Sequence, residues 1–280
     1  MSVAALACVL IALVPLGSIL YEVVVRGIGS VGPGFLTGTQ PIPCTPGSGV
    51  PCAQGGVGNA LEGTLILVAL SSAIAMPVGL LAGVYLSEYG RGPLGTAVRF
   101  FADVMTGLPS IVVGLFVFGL FQIVLPGFVY STVAGSLALA VIMIPVVART
   151  SEEALRLVPN SVREAGLALG IPKHRVSLRI VASAARDGVL TGALLAVARA
   201  GGETAPLLMT AFGSFYFVQG LDKPVAALPL NVYQYGTTAY GNWVALAWGS
   251  ALVLVLLMLG ISVVARLLLH RRFRTRRSPS

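Results

Sequence analysis

Six stretches of this chain are long and apolar enough to cross a bilayer, and that count leaves few folds open. They are Val3–Val25, Leu65–Leu86, Val104–Leu125, Ser131–Ala148, Gly188–Phe212 and Trp243–Ala265. A spanning helix needs about 20 mostly apolar residues, whereas a barrel strand needs only about ten, alternating in polarity. No such alternating segments occur, so the chain reads as an all-α integral membrane protein of six transmembrane helices. Composition agrees: 10% of the 280 residues are charged, against roughly 25% in a soluble domain, and the mean hydropathy is +0.91. These values exclude an ordinary soluble enzyme, a disordered chain and a disulfide-rich secreted domain. The first stretch lacks a basic leader and is too long for the apolar part of a signal peptide.

The net charge of +8 matters less than its distribution. With the N-terminus inside, fifteen basic residues fall on cytoplasmic segments: Arg91 and Arg99, seven between Arg149 and Arg186, and six from Arg266 to Arg277. Only Arg26 and Lys223 fall outside, a strong positive-inside bias that puts both termini in the cytoplasm. The organisation expected is a first helix with an external Gly/Pro-rich loop (1–64), a membrane core (65–269) carrying a cytoplasmic loop (149–187), and a basic tail (270–280). The tail suits anionic lipid headgroups rather than nucleic acid. Cys44 and Cys52 lie in the outer loop, either bridged in an oxidising compartment or as two free thiols. Aromatic residues Phe215, Tyr216, Tyr233, Tyr235, Tyr240 and Trp243 bracket the second outer segment as an interfacial belt.

Catalytic signatures do not emerge. Neither of the two lysines, Lys173 and Lys223, follows a glycine, so no phosphate-cradling Gly-Lys loop exists. The histidines, His174 and His270, have no metal-ligand spacing, and no paired carboxylates or nucleophile elbow are present. No catalytic residue, metal or cofactor is assigned to the chain, and transport is the default reading.

The cytoplasmic loop carries the strongest local signal. Ser161-Val162-Arg163-Glu164 has the form of a capping box, and the helix it starts is predicted to end at Gly170, with Ile171-Pro172 preventing continuation. Ala165, Leu167, Ala168 and Leu169 offer a small, apolar face, which either packs on the chain's own spans or is covered by a second protein.

Glu164-Ala165-Gly166, then Gly170, then Ile180 resembles the EAA loop of ABC-importer permeases, which have a MetI-like membrane core. Gly166 stands where the second Ala is usual, and Ala182-Ser183 where Leu-Pro is usual. Leu157-Val158-Pro159-Asn160-Ser161 and Ala198-Arg199-Ala200-Gly201-Gly202-Glu203-Thr204-Ala205-Pro206-Leu207-Leu208 are similar to the PstA-type permeases of phosphate-specific importers. The resemblance runs from roughly Leu61 to Arg266 and implies half of a translocation path for inorganic phosphate. It implies a PstC-like second permease, a dimer of ATPase subunits holding ATP and Mg, and an external phosphate-binding protein. Glu164, Ala165, Gly166 and Gly170 would then form the helix that couples to the ATPase. A permease for another oxyanion, or an ion-coupled secondary transporter, are the alternatives.

Charges inside the spans mark the candidate path. Arg199 lies 13 residues beyond Arg186, about 20 Å along a helix and near the middle of a ~30 Å core. An arginine there must face protein or water. Glu203, four residues on, can pair with it, either as a packing device or as a competitor that holds the guanidinium when the anion is absent. Thr204 adjoins the pair. Arg149 is either a second anion station or an anchor paired with Glu152 or Glu153.

Overall fold

The computed structural model describes residues 2–43 and 55–274. The helices are α1 (Ser2–Ser30), α2 (Gly58–Glu88), α3 (Pro93–Gly107), α4 (Ser110–Val124), α5 (Thr132–Arg156) and α6 (Asn160–Ala168). There follow α7 (Lys173–Ala184), α8 (Arg186–Gly201), α9 (Ala205–Thr210), α10 (Leu228–Gly236) and α11 (Gly241–Arg274). Four of them, α1, α2, α5 and α11, are by themselves long and apolar enough to span a membrane. Two bent pairs, α3 with α4 and α7 with α8, bring the number to six if each is one span. Cys44 and Cys52 lie outside the described residues.

Two breaks correct the expected spans. Val104–Leu125 is not one rod, because α3 ends at Gly107 and α4 leaves at 105° to it. Pro109 causes the break: it has no N–H to donate and pushes Leu108 into the extended conformation seen there (φ −70°, ψ 140°). Gly188–Phe212 is also interrupted, between Gly201 and Ala205. Two adjacent glycines weaken the helix by about 1 kcal/mol each, and Pro206 can sit only in the first turn of whatever follows. Pro77 and Pro145, by contrast, are absorbed within α2 and α5.

By contacts the chain forms two compact units. One comprises residues 1–64, 213–219 and 225–260. Its core gathers Phe35, Val57, Ala60, Ala226, Leu228, Leu246 and Ala247. Phe35 lies so close over Gly249 that a Cβ there would stand 2.4 Å from the ring. Two members of the expected aromatic belt belong instead to this core: Tyr235 is buried and stacks on Trp243 at 4.8 Å, and the Trp243 indole donates to the Pro41 carbonyl. Burial pushes the Tyr235 phenol up, while its hydrogen bond with Gln40 works the other way. Phe215, Tyr216 and Tyr233 remain exposed.

The second unit comprises residues 65–212, 220–224 and 261–280, and holds α3 to α9. Within it α5 is central: its most apolar stretch is 67% buried, against 28% for that of α2. Ser131 caps α5 by accepting from the Ala134 amide, and the helix packs through small residues. Ala75, Ala140, Met143, Val147, Ala196 and Ala200 form the layer shared by α2, α5 and α8. A Cβ at Gly192 would meet the Thr150 hydroxyl at 2.3 Å, so only glycine lets α8 approach α5 this closely.

Candidate functional site

Close packing of α8 on α5 brings two arginines to one cavity. It has a volume of about 550 Å³ and is lined by Asp103, Thr106 and Gly107 of α3, Val146, Arg149, Thr150 and Glu153 of α5, and Arg199 of α8. At about 30 Å³ per water molecule, that volume holds an anion together with much of its hydration. The two candidate stations Arg149 and Arg199 thus share one space.

They are held differently. Arg149 grips Asp103 with both prongs of its guanidinium, Nε to Oδ1 at 2.9 Å and a terminal nitrogen to Oδ2 at 2.8 Å. A further nitrogen reaches Glu152 Oε2 at 3.2 Å. Glu152 also accepts from Arg99 and pairs with Arg156, both at 2.7 Å on Oε1, and its carboxylate is almost fully buried. Three guanidinium groups therefore compensate one buried carboxylate, as burial of that charge requires. Of the two partners considered for Arg149, the structure selects Glu152; Glu153 instead lines the cavity.

Among the described residues the Arg199 side chain has a single loose restraint. Its Nε lies 3.6 Å from Glu203 Oε1, an ion pair beyond hydrogen-bond length, and the side chain is 45% exposed. Arg199 sits in the last turn of α8, and Glu203 lies past its end, where the Glu203 amide bonds to the Ala200 carbonyl. The pair therefore straddles a helix break rather than a continuous helix face. Thr204 occupies the position before α9 without capping it, and neither Thr204 nor Glu203 lines the cavity.

Asp103 was not singled out by sequence, although a carboxylate at the mouth of an apolar stretch is a signal for it. Its role depends on the α3–α4 bend, which turns α3 across the end of α5. Arg163 and Glu88 were missed as well. Arg163 donates to Glu88 through Nε at 2.9 Å and a terminal nitrogen at 2.8 Å, and to the Leu155 carbonyl, tying α6 to the ends of α2 and α5.

The loop that follows α5 departs from expectation at one end and meets it at the other. No capping box forms: α6 starts at Asn160, behind Pro159, so Ser161 already lies inside the first turn and Glu164 is exposed. Pro159, fixed in an extended conformation (φ −58°, ψ 145°), starts the helix too early for Ser161 to cap it. At the other end Gly170 adopts φ +73°, with the Gly170 amide bonded to Leu167 and the Ile171 amide to Gly166. That is the Schellman pattern, which a residue with a Cβ adopts only under strain. Gly166 is the buried residue of α6; a Cβ there would press on Val176 and Ile180 at 3.1 Å. Its small size lets α6 lie against the π-helical turn Val176–Val181 of α7. Ala165, Leu167, Ala168 and Leu169 are left exposed, Leu169 by 80%.

Residues 75–275 match the family model described as the binding-protein-dependent transport system inner membrane component. The chain is 46% identical over 222 residues to the phosphate transport system permease protein PstA of Xylella fastidiosa Temecula1, covering 79% of this chain and 77% of that one. It belongs to the PstA-type permeases of this transport family. Two other relatives carry the same kind of name: PstA of Yersinia pestis, 39% identical over 91% of this chain and 83% of its own, and PstA 1 of Mycobacterium tuberculosis H37Rv, 42% identical over 80% and 73%. The fold is similar to that of a chain in the inward-facing structure of the MetNI methionine ABC transporter. The TM-score is 0.61 at 20% identity, over 76% of this chain and 95% of that one. The permease is thus a multi-pass membrane transport subunit rather than an enzyme.

Proposed function

We propose that this permease is the membrane half-subunit of an ATP-driven importer of inorganic phosphate, with Arg149 and Arg199 as stations on the anion path. The observation that carries this reading is the shared cavity: two guanidinium groups face one space large enough for a hydrated anion, in a protein of the membrane-transport family. A guanidinium fork matches two oxygens of a tetrahedral oxyanion, and a path must bind weakly enough to let its ion leave. Arg199, held only at 3.6 Å, can exchange Glu203 for the anion at small cost. Thr204, beside the break, is assigned to the same path.

Coupling is assigned to α6. Glu164 and Ala165 are exposed, Gly166 packs inward, and Gly170 closes the turn, so the helix presents an apolar surface from a pinned base. An ATPase dimer covering that surface would bind ATP and Mg and supply the work, with a PstC-like permease completing the path and an external phosphate-binding protein delivering the ion. Both termini then lie in the cytoplasm. Uptake of labelled phosphate and of labelled sulfate, in cells lacking only this chain, tests the reading. Loss of phosphate uptake alone supports it, and loss of sulfate uptake alone makes the chain a permease for a different oxyanion.

A further inference from the structure

A second cavity lies among α2, α3, the end of α5, α6 and the start of α7, separate from the one holding Arg149 and Arg199. Its volume is about 620 Å³, and its walls carry Arg91, Arg99, Arg156, Arg163 and Lys173 with a single lining carboxylate, Glu88. We propose that this cavity binds a phosphoryl anion: the phosphate of an anionic lipid headgroup, or free inorganic phosphate.

Charge and preorganisation both favour such an occupant. Glu88 is bound to Arg163, and Glu152, just behind the wall, to Arg99 and Arg156. Five cations less these two carboxylates leave three positive charges around one concave space. Three of the guanidinium groups are already fixed. Arg99 donates to the Leu86 and Gly90 carbonyls at 2.7 and 2.9 Å as well as to Glu152, and Arg163 to the Leu155 carbonyl at 2.8 Å as well as to Glu88. Arg91 is exposed at the turn into α3, and the Lys173 ammonium rests over the Tyr89 ring at 4.4 Å; neither is in an ion pair with a carboxylate among the described residues. Fixed forks together with a mobile ammonium suit a multiply charged, tetrahedral oxyanion. Beside the cavity α3 exposes Leu94, Phe100 and Phe101, each by more than 60%, an apolar face of the kind that rests in a membrane interface. An occupant would join the α2–α3 turn to Arg163 and the first residue of α6, and so bear on the docking helix.

The inference does not depend on which ion the permease carries. Its test uses the purified transporter complex in nanodiscs, with Arg91→Gln combined with Lys173→Gln, because these two side chains are not needed to compensate Glu88 or Glu152. In discs containing phosphatidylglycerol and phosphatidylcholine, native mass spectrometry reads the retained lipid. In discs of phosphatidylcholine alone, calorimetry reads inorganic phosphate. A lipid site retains phosphatidylglycerol over phosphatidylcholine, and a free-anion site binds inorganic phosphate. In whichever arm binding occurs, the double variant weakens it by about tenfold or more, the loss of one or two charge-assisted contacts. Both arms are read in an Arg199→Gln background, which removes binding at the Arg199 station from the calorimetry, and Arg91→Lys should restore part of the lost binding. No binding in either arm, or binding that the double variant does not alter, overturns the proposal. Loss of the ATPase from the double variant with anion binding unchanged also overturns it, by assigning the cavity to a carboxylate of that partner.

Discussion

Arg149 and Arg199 face the same cavity from neighbouring helices, yet one is built into the protein and the other is nearly free of it. Arg149 makes three contacts at 2.8 to 3.2 Å to two carboxylates, one of them part of a buried cluster with Arg99 and Arg156. Arg199 has one partner at 3.6 Å, across a helix break. A cation so thoroughly neutralised attracts an arriving anion weakly, whereas a loosely paired one can give up its carboxylate. On the proposed reading this difference divides labour: the Arg149 cluster fixes where α3 and α5 meet, and Arg199 is the readier of the two stations to exchange its carboxylate for the anion.

The largest effect should come from breaking the fixed side. Glu152→Gln leaves Arg99, Arg149 and Arg156 around a neutral amide, and removal of one partner from a buried ionic cluster costs about 3–5 kcal/mol. The expected outcome is a severe loss of assembled permease, read by the yield of complex after solubilisation. A normal yield would mean that the cluster does not hold α3 on α5.

Breaking the loose side should spare assembly and stop transport. Arg199→Gln removes a charge-assisted contact worth about 1.5–3 kcal/mol, so uptake should fall by ten- to a hundredfold in a normally assembled complex. Glu203→Gln should act in the opposite sense on binding, lowering both KM and kcat, because the freed guanidinium holds the anion longer. Combining Arg199→Gln with Glu203→Gln separates two roles for the pair. A pair that only neutralises itself is rescued when both charges go, while an anion station stays lost. Wild-type uptake by the double variant would end the assignment of Arg199 to the path.

These distinctions were only partly legible in the chain. The apolar runs mark the four unbroken helices long enough to cross, α1, α2, α5 and α11, by length alone, and Gly170 marks a helix end because a left-handed glycine closes the last turn there. What escaped was set by breaks. Pro109 is a helix breaker on sight, but its consequence, Asp103 delivered to Arg149, depends on the angle between α3 and α4 across the break. The spacing of Ser161 and Glu164 fits a capping box, but Pro159 starts the helix first. Arg199 and Glu203 pair as their four-residue spacing suggests, although Gly201 and Gly202 end the helix between them. Cavity walls draw on helices distant in sequence, and Thr106 and Glu153 carry no local sign of belonging to one.

Asp103→Asn sharpens the contrast with a smaller change. The carboxylate is more than half exposed, so its removal should cost little stability, and Arg149 keeps Glu152. One positive charge facing the cavity is then uncompensated. If Arg149 is a second station held in reserve by Asp103, the apparent KM for phosphate should fall a few-fold, with slower release at saturation. An unchanged KM would make Arg149 structural alone.

The finest comparison substitutes lysine at each position. Lysine keeps the charge but not the fork. At 199 the fork has one loose protein contact to lose, so Arg199→Lys should assemble normally and transport several-fold more slowly, the defect lying in how it meets two oxygens of the anion. At 149 the fork itself spans Asp103 and Glu152, and one ammonium cannot reproduce that geometry. Arg149→Lys should therefore lower the thermal stability of the complex by about 1 kcal/mol or more, the scale of a lost hydrogen bond between charged groups, with transport per assembled complex affected less. The two variants change the same atoms, so differences in side-chain chemistry cancel between them. Equal stability loss at both positions would show that the 3.6 Å pair is as structural as the Asp103 clamp, and the division of labour between the arginines would not stand.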